Sequence, residues 1–507
     1  MNRFIYSLTL LASASLVTDV SASADTREVR ISLEDAIALS LTNNPDLAIT
    51  RLSPRRAAAE VTRQQGLFDP LLSMFIGIDR DRIPPGSIVL GTFRNNVAAE
   101  ASLSGRLPWG TEYDVRYGTT RIESDSQLSP TNPSSSSYIQ LQLRQPLLRG
   151  FGRDVNRAGI TIAEGNARIA NVAFRREAEI MVAGTVDAYW RLVRAHKSLA
   201  VARESLALAQ QLVERTSTRV SAGDLPTIEL TQARASVAAR EEAVILGEAE
   251  VGNANDALAR VLVVDRPNVF ATTFIPTDEP TAELVQLQPA ALVEQAFRQR
   301  GELIGARQSV KNAELAVDVA ANARRPDLSA VGSVGIGGLD DRWTTANAEL
   351  VRDLDEQHRW TLGLVFSVPL GNRAARGAHD KARLELDAAK LALRSLELQV
   401  TEDVRRAVRD LDASAKRVEA TRRAVGLARD QLAAGEKRLG TGMSTAFEVL
   451  RLQTDLAAAQ NAEIAAVIAY RTSVVRVQLA AGGLYSVYVA DVSGPATGTS
   501  RGATRNR

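Results

Sequence analysis

Residues 219–230 read RVSAGDLPTIEL, and residues 438–449 read RLGTGMSTAFEV. Aligned residue for residue, the two stretches place arginine on arginine, glycine on glycine and glutamate on glutamate. Each glycine follows a long run without proline, and glycine is the residue that most readily ends a helix in the left-handed conformation. Each glutamate falls in the first turn of the next predicted helix, where a carboxylate complements the helix dipole. The sequence therefore predicts two helical hairpins that share one sharp turn.

The helices that lead into these turns are predicted to be long coiled-coil elements. No proline interrupts residues 154–222 or 372–440. A sustained seven-residue apolar period imposes left-handed supercoiling, and each run would extend about 100 Å if fully helical. The apolar residues that recur every seven positions are Leu192, Leu199, Leu206, Val213 and Val220 in the first run, Leu411, Val418, Val425, Leu432 and Leu439 in the second, and Leu230, Val237, Val244, Val251 and Leu258 in the helix that returns from the first turn.

The repeat covers almost the whole chain. Residues 44–47 (NPDL) align with 300–303 (RGEL), and 145–147 (QPL) align with 368–370 (VPL), although the first copy is longer between its prolines. A period of this length is half a protein and not a solenoid unit. Each copy is predicted to run in the order helix, β segment, long helix, turn, helix.

These boundaries give a predicted domain organisation. The expected parts are a first repeat at 25–264 with its β segment at 71–145 and its turn near 221–226, a linker at 265–288, a second repeat at 289–486 with its β segment at 327–369 and its turn near 440–445, and a polar, disordered tail at 487–507.

The β segments alternate with the two-residue period of strands that have one apolar face. Residues 138–144, 328–336 and 360–368 show this pattern. Residues 97–106 and 112–117 form a further alternating pair around a Pro-Trp-Gly turn, which predicts an extra hairpin in the first repeat. The segments at 80–96 and 122–137 are rich in Pro, Ser, Gly and Asn and predict surface loops. A β-sandwich strand alternates in the same way, so the pattern alone leaves the kind of sheet open.

One copy of the chain has too few strands to close a sheet in a membrane. A membrane barrel needs at least eight strands, because an open edge in lipid leaves backbone groups unsatisfied. Three copies would supply twelve strands with four each, or eighteen with six each. Both counts stay open at this point, and an extra hairpin placed in the periplasm would exclude the larger one.

Composition excludes several functional classes. Lys and Arg number 61 against 59 Asp and Glu, which leaves no basic excess for nucleic acid. The chain has no cysteine, which excludes a thiolate zinc site, a catalytic cysteine and lipid attachment at an N-terminal cysteine. The three histidines are scattered, so neither a metal nor another cofactor is expected. The glycines at 332, 335, 337 and 338 resemble a phosphate loop, but no Lys-Ser/Thr follows them. A strand is favoured there, and no enzymatic activity is expected.

Residues 1–24 are predicted to be an export signal. Arg3 supplies the positive start, a short apolar run follows, and Ala22-Ser23-Ala24 offers the small-residue cleavage pattern. The apolar run is too short for a membrane anchor, and Asp25 follows it directly. No later stretch has eighteen uncharged apolar residues, so the exported chain is expected to lack a membrane-spanning helix.

In their order and duplication these motifs resemble the TolC-like family of outer-membrane efflux and secretion channels. The resemblance covers about residues 30–485. Besides the two turns, it rests on 33–38 (LEDAIA) leading to NPDL, on 291–296 (ALVEQA) leading to 301–303 (GEL), and on QPL before the first long helix. It implies a mainly α fold with β-strands, in which duplicated coiled-coil hairpins form a periplasmic α-barrel and the strands contribute to a shared, trimeric, twelve-stranded outer-membrane β-barrel. The missing N-terminal cysteine excludes the lipidated subclass.

The resemblance also implies partners and site residues. The implied partners are two further copies in a homotrimer, a periplasmic membrane-fusion adaptor, an inner-membrane pump or ABC transporter, and outer-membrane lipid. Because the hairpin tips of the family meet the adaptor, the implied docking residues are Arg219, Gly223, Leu225, Pro226, Glu229, Arg438, Gly442, Ser444, Thr445 and Glu448. Ordinary capping of a helical hairpin would favour the same residue types. Asp224 or Thr227 is then the expected cap of the first returning helix, and Ser444 or Thr445 of the second.

The family's tunnel closes near the tips through inward polar or acidic side chains. Asp430 and Glu436 are the predicted gate residues, although solvated surface charge explains such residues as well. The expected function is a passive outer-membrane conduit of a tripartite efflux or type I secretion system, with its tunnel in the periplasm of a Gram-negative-type envelope. The alternative is a soluble periplasmic coiled-coil adaptor or scaffold. A cytoplasmic scaffold conflicts with the export signal.

Overall fold

The computed structural model describes residues 27–82, 91–264, 269–283, 287–352 and 358–488. The predicted export signal and residues 489–507 of the predicted tail lie outside the described residues. The helices are α1 (Leu33–Asn43), α2 (Pro45–Gln65), α3 (Arg153–Ser221), α4 (Thr227–Leu262), α5 (Pro289–Gln299), α6 (Gly301–Ala323), α7 (Trp343–Arg352), α8 (Arg373–Gly440), α9 (Ala446–Ala481) and α10 (Leu484–Tyr488). The strands are β1 (Arg27–Ile31), β2 (Leu71–Arg82), β3 (Phe93–Arg106), β4 (Glu112–Ser124), β5 (Ser134–Pro146), β6 (Thr272–Pro276), β7 (Asp327–Asp340) and β8 (His358–Ser367).

The long helices agree with the sequence prediction. α3 has 69 residues and α8 has 68, and their ends fall within one residue of those predicted. Side chains of the seven-residue seam are buried, among them Leu192 in α3 and Leu411 and Val418 in α8. The predicted pair of long helical hairpins, α3–α4 and α8–α9, is confirmed.

The chain divides into two compact units. The first, here called the tip unit, contains the described residues up to Asn43, together with Asp187–Pro280 and Ala428–Ile464. The second, the sheet unit, contains Asn44–Val186, Thr281–Leu427 and the described residues from Ala465 onward.

A small parallel sheet in the tip unit was not predicted. β1 pairs with β6, which lies inside the segment predicted to be a linker at 265–288. The phenol of Tyr189 donates to the carboxylate of Asp278, and Oδ2 of Asp278 accepts the Leu33 N–H at 2.8 Å. Burial, together with the neighbouring carboxylate, raises the pKa of Tyr189, so its hydroxyl stays protonated and donates. These bonds hold the start of α1 beside α3.

The sheet unit contains one six-stranded antiparallel sheet in the order β2-β3-β4-β5-β7-β8. The extra hairpin, β3 and β4, lies inside this sheet, so the described residues of one chain form six of its strands and not the four that the twelve-stranded expectation requires. The loop predictions at 80–96 and 122–137 are wrong in part, and residues 83–90 of the first lie outside the described residues. Strands β2 to β5 extend into both segments, because their polar residues continue the backbone ladder.

The two faces of this sheet differ in polarity. Residues paired across the strands share a face. One row of the first face is Leu72, Leu103, Val115, Leu141, Val334 and Trp360, and one row of the opposite face is Ser73, Ser102, Arg116, Gln140, Gly335 and Arg359. The apolar face is exposed, with Ile76 at 77% and Leu362 at 78%. A sheet of this kind suits lipid on one side and water on the other.

α7 interrupts the second β segment and was not predicted. It packs on β5 and β7, where Ala346 and Leu350 are buried. On the apolar face of the sheet, Tyr117 Oη donates to Asn347 Oδ1 at 2.9 Å. The glycines that resemble a phosphate loop lie in β7, as the strand prediction required.

By length and composition alone, α9 is the one helix in the described residues that could cross a membrane. Half of its most apolar window is buried within the chain. Within the sheet unit, Val467, Tyr470 and Val477 of α9 pack in a core cluster with Leu411 and Val418 of α8. This packing is typical of a core helix.

Candidate functional site at the hairpin tips

The first tip ends α3 with a Schellman motif. The Gly223 N–H donates to the Val220 carbonyl at 3.1 Å, and the Asp224 N–H donates to the Arg219 carbonyl at 2.9 Å. Gly223 has φ +86°, a conformation that costs a residue with a side chain about 1–2 kcal/mol. The positive φ that the motif requires therefore explains why a glycine occupies position 223.

The second tip repeats this motif at the end of α8. The Gly442 N–H donates to the Leu439 carbonyl at 3.1 Å, and the Met443 N–H donates to the Arg438 carbonyl at 2.8 Å. Gly442 has φ +76°. The two turns predicted from aligned sequence thus have the same hydrogen-bond pattern.

The two returning helices begin differently. Pro226 is the residue before α4, and no side chain caps that helix, so the expected capping by Asp224 or Thr227 is wrong. In the second tip Thr445 Oγ1 accepts the Glu448 N–H at 3.3 Å, which confirms Thr445 as a cap. Ser444 Oγ donates to Glu448 Oε2 at 2.9 Å. A proline before α4 fixes the backbone without supplying a side-chain acceptor.

The paired charges also differ. Arg438 lies 3.5 Å from Glu448, and both side chains are partly exposed. Among the described residues, Arg219 and Glu229 form no such pair, and the buried Oε2 of Glu229 has no hydrogen-bond partner. Both glutamates lie in the first turn of their helices, as predicted.

A groove of about 610 Å³ lies between the two tips, within the tip unit. It brings Arg219 and Leu225 of the first tip together with Glu436 and Leu439 of the second. Its apolar wall is formed by Leu208, Leu212, Leu225, Leu439, Ala446 and Val449. Gly223, Pro226, Glu229, Arg438, Gly442, Ser444, Thr445 and Glu448 lie outside this lining. An apolar wall with charged side chains of both signs is the kind of surface that receives an amphipathic helix.

Sequence reasoning missed the two buried polar residues in the lining of this groove. Gln453 is only 4% exposed, and its Oε1 has no partner among the described residues. Thr216 is also buried in the lining. Gln453 falls four residues after Val449 and seven after Ala446, so it lies on the same apolar face of the helix. A polar residue on that apolar face was the sequence signal that could have identified it.

A third missed residue joins the two hairpins behind the tips. Arg240 of α4 is 8% exposed. Its guanidinium donates to Ser205 Oγ at 2.8 Å, to the Leu450 carbonyl at 3.1 Å and to Thr454 Oγ1 at 3.2 Å, and also to Ser236 Oγ. Burial lowers the pKa of Arg240. All of these acceptors are neutral, so the site depends on hydrogen bonds and not on a carboxylate.

The predicted gate residues are both exposed on α8. Asp430 lies outside the groove lining, whereas Glu436 is part of it. Their role as a gate stays a prediction, because closure of a tunnel involves several copies of the chain.

Duplicated helical hairpins combined with a sheet that exposes one apolar face define a class of protein, the outer-membrane channel with a helical tunnel. The sequence profile described as "Outer membrane efflux protein" matches residues 36–262 and 292–483. The chain therefore belongs to the outer membrane efflux protein family and is an outer-membrane channel of the TolC-like type, with its tunnel in the periplasm.

Individual relatives agree with this assignment. The outer membrane protein TolC of Salmonella enteritidis is 25% identical over 366 residues, which cover 71% of this chain and 70% of the relative. TolC of Escherichia coli strain K12 is 24% identical over 367 residues, with the same coverage. The crystal structure of the Campylobacter jejuni CmeC outer membrane channel superposes with a TM-score of 0.65 at 16% identity, covering 91% of this chain and 89% of CmeC. VceC of Vibrio cholerae gives 0.64 at 17% identity, covering 89% and 96%. These structures support the fold.

Proposed function

We propose that three copies of the chain form a passive conduit of a tripartite efflux or type I secretion system. The conduit docks through its hairpin tips to a periplasmic adaptor, and an inner-membrane pump or ABC transporter supplies the energy. The observation that carries the proposal is the groove between the duplicated tips, with its apolar wall and charged side chains. The presence of a second long hairpin also favours a channel over the soluble adaptor.

An exposed apolar stripe supports assembly with further copies. Leu384, Leu391 and Leu398 of α8 follow one another at seven-residue spacing and are 67–70% exposed. Leucines at this spacing form the seam of a coiled coil, and a stripe left in water is unfavourable. A helix of a neighbouring copy is the partner that this spacing fits.

The groove supports docking of a helical partner. Its apolar residues would receive the apolar face of an adaptor helix, while Arg219 and Glu436 would fix the orientation of that helix through charges. Gln453 also lines the groove, and its buried Oε1 has no hydrogen-bond partner among the described residues. Because Glu436 belongs to the groove, a docking role suits it, and Asp430 is the better gate candidate of the two.

Fractionation and cross-linking test the conduit. We expect the chain in the outer-membrane fraction, and an amine-reactive cross-linker should give a ladder that ends at a trimer. Leu391→Glu should weaken the trimer, whereas Lys390→Glu, beside the stripe, should leave it intact. A soluble periplasmic monomer would contradict the conduit and support the adaptor alternative.

Binding of the purified periplasmic adaptor from the same organism tests docking. Leu225→Glu places a charge in the apolar wall and should weaken binding by tenfold or more, an effect of about 1.4 kcal/mol. Met443→Glu, on the exposed second turn outside the groove lining, is the matched control. Equal loss in both variants would show that the groove is not the docking site.

A further inference from the structure

The six-stranded sheet has two unprotected edges. Among the described residues, β2 pairs only with β3, and β8 pairs only with β7. The ladder between β2 and β3 runs from Leu71 to Arg82, so β2 presents twelve residues of backbone on its other side. Such an edge is a template for pairing with another chain.

The side chains of the two edge strands do not discourage pairing. Soluble proteins protect edges with charges, prolines or bulges. Residues 71–78 of β2 and 360–367 of β8 contain neither charge nor proline. Met74, Ile76, Leu362 and Leu364 are 71–78% exposed on the apolar face. Both edges therefore suit burial in lipid beside another strand.

The strand directions permit closure. All five neighbouring pairs are antiparallel, and the number of strands is even, so β2 and β8 run in opposite directions. The β8 of a neighbouring copy can therefore lie antiparallel beside β2, which is the pairing of transmembrane barrels. An odd number of strands would force a parallel seam at every subunit boundary.

We propose that β2 of each copy pairs with β8 of the next, and that three copies close an eighteen-stranded barrel. This inference rests on the trimer proposed above, and it replaces the twelve strands that the family resemblance implies. With strands about 4.8 Å apart and tilted about 40°, the backbone diameter is about 36 Å, against about 24 Å for twelve strands. The barrel lies in the size range that encloses a water-filled channel.

The opposite face of the sheet lines this channel. Ser102, Arg116, Gln140 and Arg359 belong to one row of that face, and other rows are likewise rich in polar residues. A wide, polar channel takes large hydrated solutes, including unfolded polypeptide. Selection of the cargo then falls to other parts of the system.

Disulfide scanning tests the seam, because the chain contains no cysteine of its own. Ile76→Cys in β2 is combined in turn with Trp360→Cys, Leu362→Cys, Leu364→Cys and Phe366→Cys in β8, all on the apolar face. Facing residues of paired strands have Cα separations that suit a disulfide. One or two neighbouring combinations should give a reducible ladder that ends at a trimer. Thr361→Cys and Val365→Cys, on the opposite face, are matched controls and should give none.

The outcomes separate this inference from the proposed function. A trimer seen with the amine cross-linker but without any β2–β8 disulfide would overturn the seam and leave the conduit standing. A disulfide ladder that ends at a dimer would overturn the eighteen-stranded count. Electron microscopy of the unmodified trimer in lipid nanodiscs provides a second measurement. Eighteen strands are expected, and a twelve-stranded barrel about 24 Å across would contradict the proposal.

Discussion

In the second hairpin tip, Arg438 approaches Glu448 to 3.5 Å, and Thr445 caps the returning helix. In the first tip, by contrast, a proline precedes the returning helix, and the buried Oε2 of Glu229 has no partner in the described residues. Both tips nevertheless close with the same pair of backbone hydrogen bonds. Glycine therefore fixes the turn, while the side chains around it are free to differ. The second tip satisfies its own carboxylate, and the first leaves an acceptor available.

The two hairpins also differ behind the tips. Arg240 of the first hairpin aligns with Ala459 of the second, and His196 aligns with Ala415. The arginine and the histidine are both half-buried or more, and both occur in the first copy. At these two aligned positions the first hairpin has a polar residue, and the second has alanine.

The largest effect should come from Arg240→Ala. It removes four hydrogen bonds and leaves a cavity together with unpaired acceptors, so we expect the free energy of unfolding to fall by about 3 kcal/mol. Urea unfolding followed by circular dichroism measures it. Arg234→Ala, on the exposed side of α4, is the control and should change stability by less than about 0.5 kcal/mol. If the two variants behave alike, the buried bonds do not hold the hairpins together.

The second-largest effect is expected for substitutions of the turn glycines, Gly223 and Gly442. Gly223→Val and Gly442→Val should each cost about 1–2 kcal/mol, because both glycines have positive φ. We expect binding of the purified adaptor to fall more than the yield of cross-linked trimer. Gly184→Ala, in the middle of α3 with open space around it, serves as the control. Equal loss of binding and of trimer would show that these glycines serve folding alone.

Lowering the pH should reduce the stability of the protein through His196 in the first hairpin. Burial lowers the pKa of His196 from its ordinary 6.5, so the unfolded chain takes up a proton at a pH where the folded chain does not. Stability from this group is complete above pH 6.5 and is lost as the pH falls below it. Relative to His196→Gln, the natural chain should lose stability between pH 7.5 and 5.5, which urea unfolding at the two pH values measures. Parallel pH profiles for the two proteins would refute a role for His196.

The smallest predicted effect is the difference in stability between variants of the two tip glutamates, Glu448 and Glu229. Glu448→Gln breaks an exposed ion pair and should cost about 0.5 kcal/mol in urea unfolding, less at high salt. Glu229→Gln removes a charge that has no ion-pair partner in the described residues, so its cost should be near zero. Equal costs at both positions would assign the effect to the helix dipole instead of the ion pair.

Sequence alone predicted the parts of the fold that follow from periodicity. The seven-residue seam and the missing prolines gave the ends of α3 and α8 to within one residue, and the two-residue alternation located β3, β4, β5, β7 and β8. The positive φ of Gly223 and Gly442 follows from their place after a helix. Each of these signals depends on residues that are close together in the sequence, so it can be recognised without knowing the contacts between distant residues.

The remaining features depend on contacts between distant residues. β1 and β6 have five residues each, too few for a period, and Phe274 of β6 is buried beside α4, where the Asn255 side chain accepts its N–H. The groove is formed by both hairpins together. The sequence of either tip alone therefore does not show that Arg219 lines the groove and Arg438 does not. The cap of α4 was predicted wrongly, because Pro226 displaced the polar residues from the capping position.

The pairing of β1 with β6 constrains the order in which the chain folds. The Leu33 N–H finds its acceptor, Asp278, 245 residues further along. Closing so long a loop is slow, and it cannot begin until the first repeat has been translocated. The strand Arg27–Ile31 must therefore wait for its partner until residues 272–278 have arrived, and the tip unit is completed later still, when Ala428–Ile464 follows.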